Sequence, residues 1–293
     1  EAKRLLGMVA DGIDLAGEKA EAKQDISVSQ LCGLYLAEGC DKKKPSSVEK
    51  DRSIIKRHIE PLLGRQRVKS LTRADIERFM SGVAAGKTAT DVRTGKRGRA
   101  IVRGGKSAAN RATDTLSSML SFAVDRGVRP DNPARRIRKF RVQPRERFLA
   151  PKELARLGQV LASAEASGEN PYAIAALRTL MLSGCRKNEV LSLQWDWVDF
   201  ERAALRLPDS KSGAKVVPLG AAAMAILQSL RRVQSNPHVF PSAAGNGHIV
   251  GLQKVWARIR TQAELQDVRL HDLRHSFASV GVAVAISPTT DKG

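Results

Sequence analysis

Arg186, Lys211, His271 and Arg274 are residue types that together suit one reaction, chemistry at a phosphate diester. A guanidinium grips phosphate oxygens through a planar fork and stays charged at physiological pH. The non-bridging oxygens gain charge as a nucleophile attacks, and fixed guanidiniums stabilise that charge by pre-organised electrostatics. Arg186 follows Gly184 at the end of a mostly apolar run, Ile174–Leu182, and opens a short amphipathic segment. A glycine there can take the left-handed conformation that ends a helix, so Arg186 is expected at a helix junction. Arg274 lies in the box His271-Asp272-Leu273-Arg274-His275. At about 100° per residue, His271, Arg274 and His275 share one helix face, and Leu273, Phe277 and Val280 share the opposite, core-facing one. Imidazole suits proton transfer or phosphate binding near neutral pH, and His271 fits that role. His275 is read as structural. Each arginine has a plainer alternative, a surface ion pair, which for Arg186 would be with Glu189 three residues on. Lys211 sits in a predicted turn, Ser210-Lys211-Ser212-Gly213, between strands at Ala204–Leu207 and Lys215–Val217. A turn lysine by itself is ordinarily just solvated.

The elements that must position these residues are mostly helical. Helices are expected at Glu1–Lys23, Ser27–Glu38, Val48–Ile59, Arg73–Val83 and Ala108–Asp125 in the first half, with Ser27 and Thr72 as caps and Asp75 completing a capping box. Residues 86–106 are too glycine-rich for a helix and read as a basic loop or hairpin. They hold Lys87, Arg93, Lys96, Arg97, Arg99, Arg103 and Lys106, with Asp91 as the sole acid. Gly127, Pro130 and Pro133 stop the following helix. Arg135–Arg147 (RRIRKFRVQPRER) has no helical stripe and reads as an interdomain linker, with Arg138, Lys139 and Arg141 among its cations. Further helices are expected at Pro151–Ala164, Ala221–Leu230, Gly251–Ala263 and His271–Val282, with proline at the first position of the first of them. The fold class is therefore mainly α: a helical domain over 26–143, a mixed α/β domain with a small antiparallel sheet over 144–293, and a helical connector over 1–25.

Charge names the class of partner. The 293 residues contain 50 Lys+Arg and 30 Asp+Glu, a net +20. The excess is uneven: net +18 over 41–150, +5 over 151–293 and −3 over 1–40. Such a balance points to a polyanion, most simply nucleic acid, and the basic loop and linker are the candidate phosphate contacts. Three cysteines without Cys-x-x-Cys spacing argue for reduced thiols, with Cys185 a small core residue despite its position beside Arg186. No apolar run is long enough for a membrane span, and no signal peptide is evident. No Asp/Glu/His cluster has metal-ligand spacing, so neither a metal nor another cofactor is expected.

The boxes Gly184-Cys185-Arg186-Lys187-x-Glu189, Leu193-x-Trp195-x-x-Val198-Asp199, Asp209-Ser210-Lys211-Ser212-Gly213 running into Val217-Pro218-Leu219, and His271-x-x-Arg274-His275 occur in an order that resembles the tyrosine recombinases, the phage integrase family. The resemblance spans roughly Ile26 to Val282. It implies DNA integration and recombination through a 3′-phosphotyrosyl intermediate, needing neither ATP nor metal, by four protomers on two duplexes. Lys211 would be the general acid on the leaving 5′-oxygen, and the linker would complete a clamp around duplex DNA. The expected setting is the bacterial cytoplasm, at the nucleoid, in a phage or other mobile element. The family's tyrosine nucleophile follows the His-x-x-Arg box after a Leu-Gly-His segment, and the sequence beyond Arg274 has neither. The tyrosines, Tyr35 and Tyr172, both read as packing residues. The expectation is a form truncated before its nucleophile, which binds DNA without cleaving it and can self-associate through apolar residues near Phe277–Ile286. The rival readings are a non-catalytic DNA-binding protein on the same scaffold, a type IB topoisomerase and a metal-dependent nuclease.

Overall fold

The computed structural model describes residues 25–95, 98–143, 145–209 and 213–277. The expected helix at 1–23 and the part of the last helix beyond 277, with Val280, lie outside the described residues. The chain divides into two compact units, Glu1–Gln143 and Pro144–Gly293.

The first unit is a helical cluster with one hairpin. α1 (Val28–Glu38) starts where expected: the Ser27 hydroxyl accepts the Gln30 N–H, and the Gln30 side chain accepts the Ser27 N–H in return. α2 (Pro45–Ile54) runs through a π turn, Ile55–Ile59, into the short α3 (Glu60–Leu63). The sequence pattern suggested one regular helix over 48–59, but the Glu60 N–H donates to the Ile55 carbonyl, five residues back. α4 (Arg73–Ala84) carries the expected Thr72–Asp75 capping box. β1 (Thr90–Gly95) and β2 (Gly98–Val102) form an antiparallel hairpin whose register shifts between Arg93 and Gly95. α5 (Lys106–Asp125) is the longest helix among the described residues and presents Ala109, Ala112, Leu116, Met119 and Leu120 to a core shared with Leu31, Ile59, Ile76 and Val83. Asp51 ties three parts of this unit: it accepts from the Lys43 ammonium (2.6 Å), the Tyr35 hydroxyl (3.2 Å) and the Thr115 hydroxyl (3.3 Å). Tyr35 itself is buried, with its ring edge-on to Phe122.

The second unit packs helices around α7 (Pro171–Ser183), whose Ile174, Leu177 and Leu180 are almost wholly buried. α6 (Pro151–Ala166) begins at Pro151, with the Glu153 carboxylate accepting the Ala150 N–H. α8 (Lys187–Leu191) and a 3₁₀ turn, Trp195–Trp197, lead into a three-stranded antiparallel sheet in the order β3 (Val198–Asp199), β4 (Ala204–Leu207), β5 (Lys215–Pro218). α9 (Ala221–Ser229) and α10 (Leu252–Gln262) follow. Trp256 on α10 is fully buried, and its indole N–H donates to the Val268 carbonyl. α11 begins at residue 270 and is described as far as 277. The Asp272 carboxylate accepts the Arg269 N–H at its start, and the Ser276 hydroxyl accepts the Leu149 N–H, which fastens the beginning of this unit to α11.

Candidate active site

The left-handed turn expected at Gly184 is present, with φ +60° at the C-cap of α7. It does more than end a helix. A Cβ on Gly184 would lie 2.5 Å from the Phe277 ring of α11. The absence of a side chain at Gly184 therefore lets α11 come up against the turn that carries Arg186. Phe277, assigned from periodicity to a buried face, keeps 38% of its surface exposed, because it packs over this turn instead of entering the core. Leu273 is buried as expected, and Asp272 and Ser276 are buried beside it.

Arg186 is the N-cap of α8 in extended conformation. Its N–H donates to Glu189 Oε2 and its Nη1 to Glu189 Oε1, both at 2.8 Å. The ion pair raised as the plainer alternative thus exists. It occupies one edge of the fork, and the side chain remains about one-third exposed. Glu189 also accepts from the Lys215 ammonium at 2.8 Å and is itself nearly buried, at 8% exposure. Burial pushes the Glu189 carboxyl up, but the hydrogen bonds from Lys215 and Arg186 outweigh it and hold it below the usual carboxylate range. One carboxylate therefore fixes two cations on two elements.

Arg274 presents the other half. Its Nη1 is buried and has no hydrogen-bond partner among the described residues. Its charge is close enough to Cys185 to favour the thiolate, although burial dominates there and raises the Cys185 thiol above its ordinary value. Cys185 is thus the inert core thiol that the sequence suggested. His271 and His275 lie edge-to-face, with ring centroids 4.7 Å apart, and Phe148 stands edge-on to His275. Burial, then the charges of His275 and Arg274, hold His271 below the usual histidine range, with a further contribution from Arg186. His271 is therefore neutral near pH 7 and able to accept a proton. Arg186 and Arg274 thus both lie within electrostatic reach of His271. Lys211 lies outside the described residues, in the connection between β4 and β5.

The proposed DNA contacts belong to the first unit. Lys87, Arg93, Arg99, Arg103, Lys106, Arg138, Lys139 and Arg141 are all exposed, and Lys96 and Arg97 lie outside the described residues. Two of them are already paired. Arg99 reaches across the hairpin to clasp Asp91 through Nε (2.7 Å) and Nη2 (2.5 Å), and Lys139 meets Asp114 at 2.6 Å.

The chain matches the phage integrase family over residues 147–280 and the phage integrase N-terminal SAM-like domain over 27–83. It belongs to the phage integrase family. Among curated relatives it is 33% identical to the prophage integrase IntF of Escherichia coli over 42% of this chain and 28% of that protein. It is 31% identical to the tyrosine recombinase XerC of Xanthomonas axonopodis pv. citri, over 48% and 51%. The shufflon-specific DNA recombinase of Escherichia coli is 30% identical over 56% and 41%. The chain thus spans from about a quarter to about half the length of these relatives. Its fold matches a lambda integrase tetramer bound to a Holliday junction (TM-score 0.69, 16% identity, covering 94% of this chain and 79% of that one). It also matches the Tn1549 transposon integrase in complex with circular intermediate DNA (TM-score 0.66, 13% identity, 90% and 89%).

For an integrase-family chain, the residues that sequence reasoning missed are supporting ones. Lys215 was read only as a strand residue, and nothing local marks it as the second cation on Glu189. Arg147 was placed in the linker, yet it is anchored in the second unit, with Nη1 and Nη2 on the Glu153 carboxylate (2.9 and 2.6 Å) and Nε on Asp267 (2.7 Å). The bonds from Arg147, then that from the Ala150 N–H, hold the Glu153 carboxyl down to about 2. Among the described residues no group of His, Cys, Asp and Glu could hold a metal ion, and no helix is long and apolar enough to cross a membrane.

Proposed function

We propose that this chain carries the DNA-binding and phosphate-activating machinery of a site-specific recombinase acting through a 3′-phosphotyrosyl intermediate. The observation that carries this reading is the Arg274 guanidinium, buried at Nη1 without a partner among the described residues, whose charge, like that of Arg186, acts on His271. A buried unpaired donor costs about 1–3 kcal/mol. It is retained where a ligand completes it, and a phosphate oxygen is a natural acceptor for a guanidinium fork. In this reading Arg186 and Arg274 hold the non-bridging oxygens of the scissile phosphate. His271, neutral near pH 7, accepts a proton or a phosphate hydrogen bond. Lys211, which lies between β4 and β5 in sequence, protonates the leaving 5′-oxygen as a tyrosine oxygen attacks phosphorus and the bond to that 5′-oxygen breaks. Glu189 and Lys215 keep Arg186 in position.

The nucleophile is not one of this chain's own tyrosines. Tyr35 is buried in the first unit on Asp51 and Lys43. Tyr172 donates its hydroxyl to the Arg231 carbonyl and sits at the opposite end of α7 from Arg186, roughly 18 Å away at the helical rise. The 293-residue chain accordingly binds duplex DNA through the basic residues of its first unit and forms no covalent adduct. Assembly of four copies on two duplexes is supported by the likeness to the junction-bound lambda integrase tetramer. The test is a nicked suicide duplex followed by denaturing electrophoresis. The expected result is salt-sensitive binding with no protein-linked strand. An adduct mapping to Tyr35 or Tyr172, or failure to bind duplex DNA at low salt, would refute it.

A further inference from the structure

The first unit holds a cavity of about 250 Å³ that the active site does not use, and its rim is arginine. Arg57 comes from the π turn, Arg103 from the exit of β2 and Arg111 from the first turns of α5. All three are exposed. Among the described residues none of the three forms an ion pair with a carboxylate and no carboxylate lines the cavity, although the charge of Arg103 also acts on Asp91 of β1. Arg52, one turn away on α2, is by contrast paired with Glu49.

The backbones carrying these three side chains are fixed. Next to Arg57, His58 is buried, and its Nδ1 lies 2.6 Å from the Thr88 hydroxyl at the entrance of the hairpin. The π turn inserts a residue into the helical phase, so that His58 points to the hairpin while its neighbour Arg57 stays exposed. Such turns occur often at functional sites. Beside Arg103, Gly104 has φ +73°, and a Cβ there would lie 2.4 Å from the Val83 carbonyl oxygen, so β2 leaves the hairpin pressed against the end of α4. Arg111 stands between the buried Ala109 and Ala112 of α5. Burial and the charges of Arg57 and Arg111 both disfavour protonation of His58, which places those two cations around one point.

We propose that Arg57, Arg103 and Arg111 form a seat for a single backbone phosphate of duplex DNA. Three guanidiniums lining one cavity with no carboxylate among its lining residues make it electropositive, and an anion seated there would relieve their mutual repulsion. As a phosphate contact the seat positions the protein and reads no base. It fixes the register of the first unit on the duplex. This inference rests on the reading of the chain as a DNA-binding recombinase.

The test uses the full chain and the salt dependence of duplex binding. Each neutralised phosphate contributes about 0.9 to the slope of log K against log salt. The triple variant Arg57→Gln, Arg103→Gln, Arg111→Gln is expected to lower the slope by about 0.9 in all, since one phosphate is lost. Each single variant should weaken binding and change the slope by less. Arg52→Gln, at an arginine already paired with Glu49, should leave the slope unaltered. An unchanged slope in a folded triple variant would overturn the seat. So would a fall of about 2.7, which would mean three separate phosphates. Free inorganic phosphate that binds the chain and not the triple variant, with the DNA slope unmoved, would reassign the cavity to a small solute and overturn the DNA assignment. Failure of the unmodified chain to bind duplex DNA is a different result, one that rejects the recombinase reading itself.

Discussion

Substituting Gly184 tests the contact that joins the two halves of the site. Gly184→Ala carries two separate costs. Its φ of +60° is left-handed, which costs a residue with a Cβ about 1–2 kcal/mol. The new methyl would also sit 2.5 Å from Cδ1 and 3.0 Å from Cε1 of Phe277, and overpacking of this kind costs about 1–3 kcal/mol. The single variant is therefore expected to lose about 2–5 kcal/mol, with α11 displaced from the Arg186 turn. Removing the ring with Phe277→Ala abolishes the second cost and leaves the first. In that background Gly184→Ala should cost only about 1–2 kcal/mol, giving a coupling energy equal to the overpacking cost, about 1–3 kcal/mol. The assay is urea unfolding followed by tryptophan fluorescence. The chain's three tryptophans, Trp195, Trp197 and Trp256, all lie in the second unit, so the signal reports that unit alone. A coupling energy near zero, or a Gly184→Ala variant as stable as the parent chain, would refute the argument that this glycine exists to admit α11.

Three further outcomes can be checked directly. Arg274→Met removes a buried unsatisfied donor and should leave the DNA-free chain as stable or up to about 1 kcal/mol more stable, while weakening duplex binding by roughly 10-fold or more; urea unfolding and electrophoretic mobility shift measure the two. Glu189→Gln removes the charge shared by Arg186 and Lys215. Breaking a fully buried pair costs about 3–5 kcal/mol, but both cations are about one-quarter to one-third exposed, so a loss of about 1–2 kcal/mol is expected in the same unfolding assay. For pH, His58 is held below its ordinary value by burial, then by Arg57 and Arg111. The unfolded chain then binds more protons in the window below about pH 6.5, so stability falls as pH drops through that window, by at most about 1.4 kcal/mol per pH unit for this group. His238 and His271 contribute with the same sign. His58→Gln should flatten the dependence without abolishing it, as read from thermal melts between pH 5 and 7.5.

The sequence by itself determined what depends on neighbours along the chain. The Ser27 and Thr72 capping boxes, the left-handed stop at Gly184, Pro151 at a helix start and the hairpin within 86–106 all rest on interactions within a few residues, which a linear reading can see. Four boxes in order were also enough to point to the phage integrase family. The tertiary structure alone decided what depends on distant residues meeting. Periodicity placed Phe277 in the core, but the missing side chain at Gly184 drew it over the turn, because the ring could gain a close contact there while staying partly in water. Lys215 became a partner of Glu189 only when β5 came alongside α8. Arg57, Arg103 and Arg111, spread over three elements and unremarkable in a basic sequence, meet around one cavity because a π turn, a pinned glycine and a buried helix face bring their backbones together.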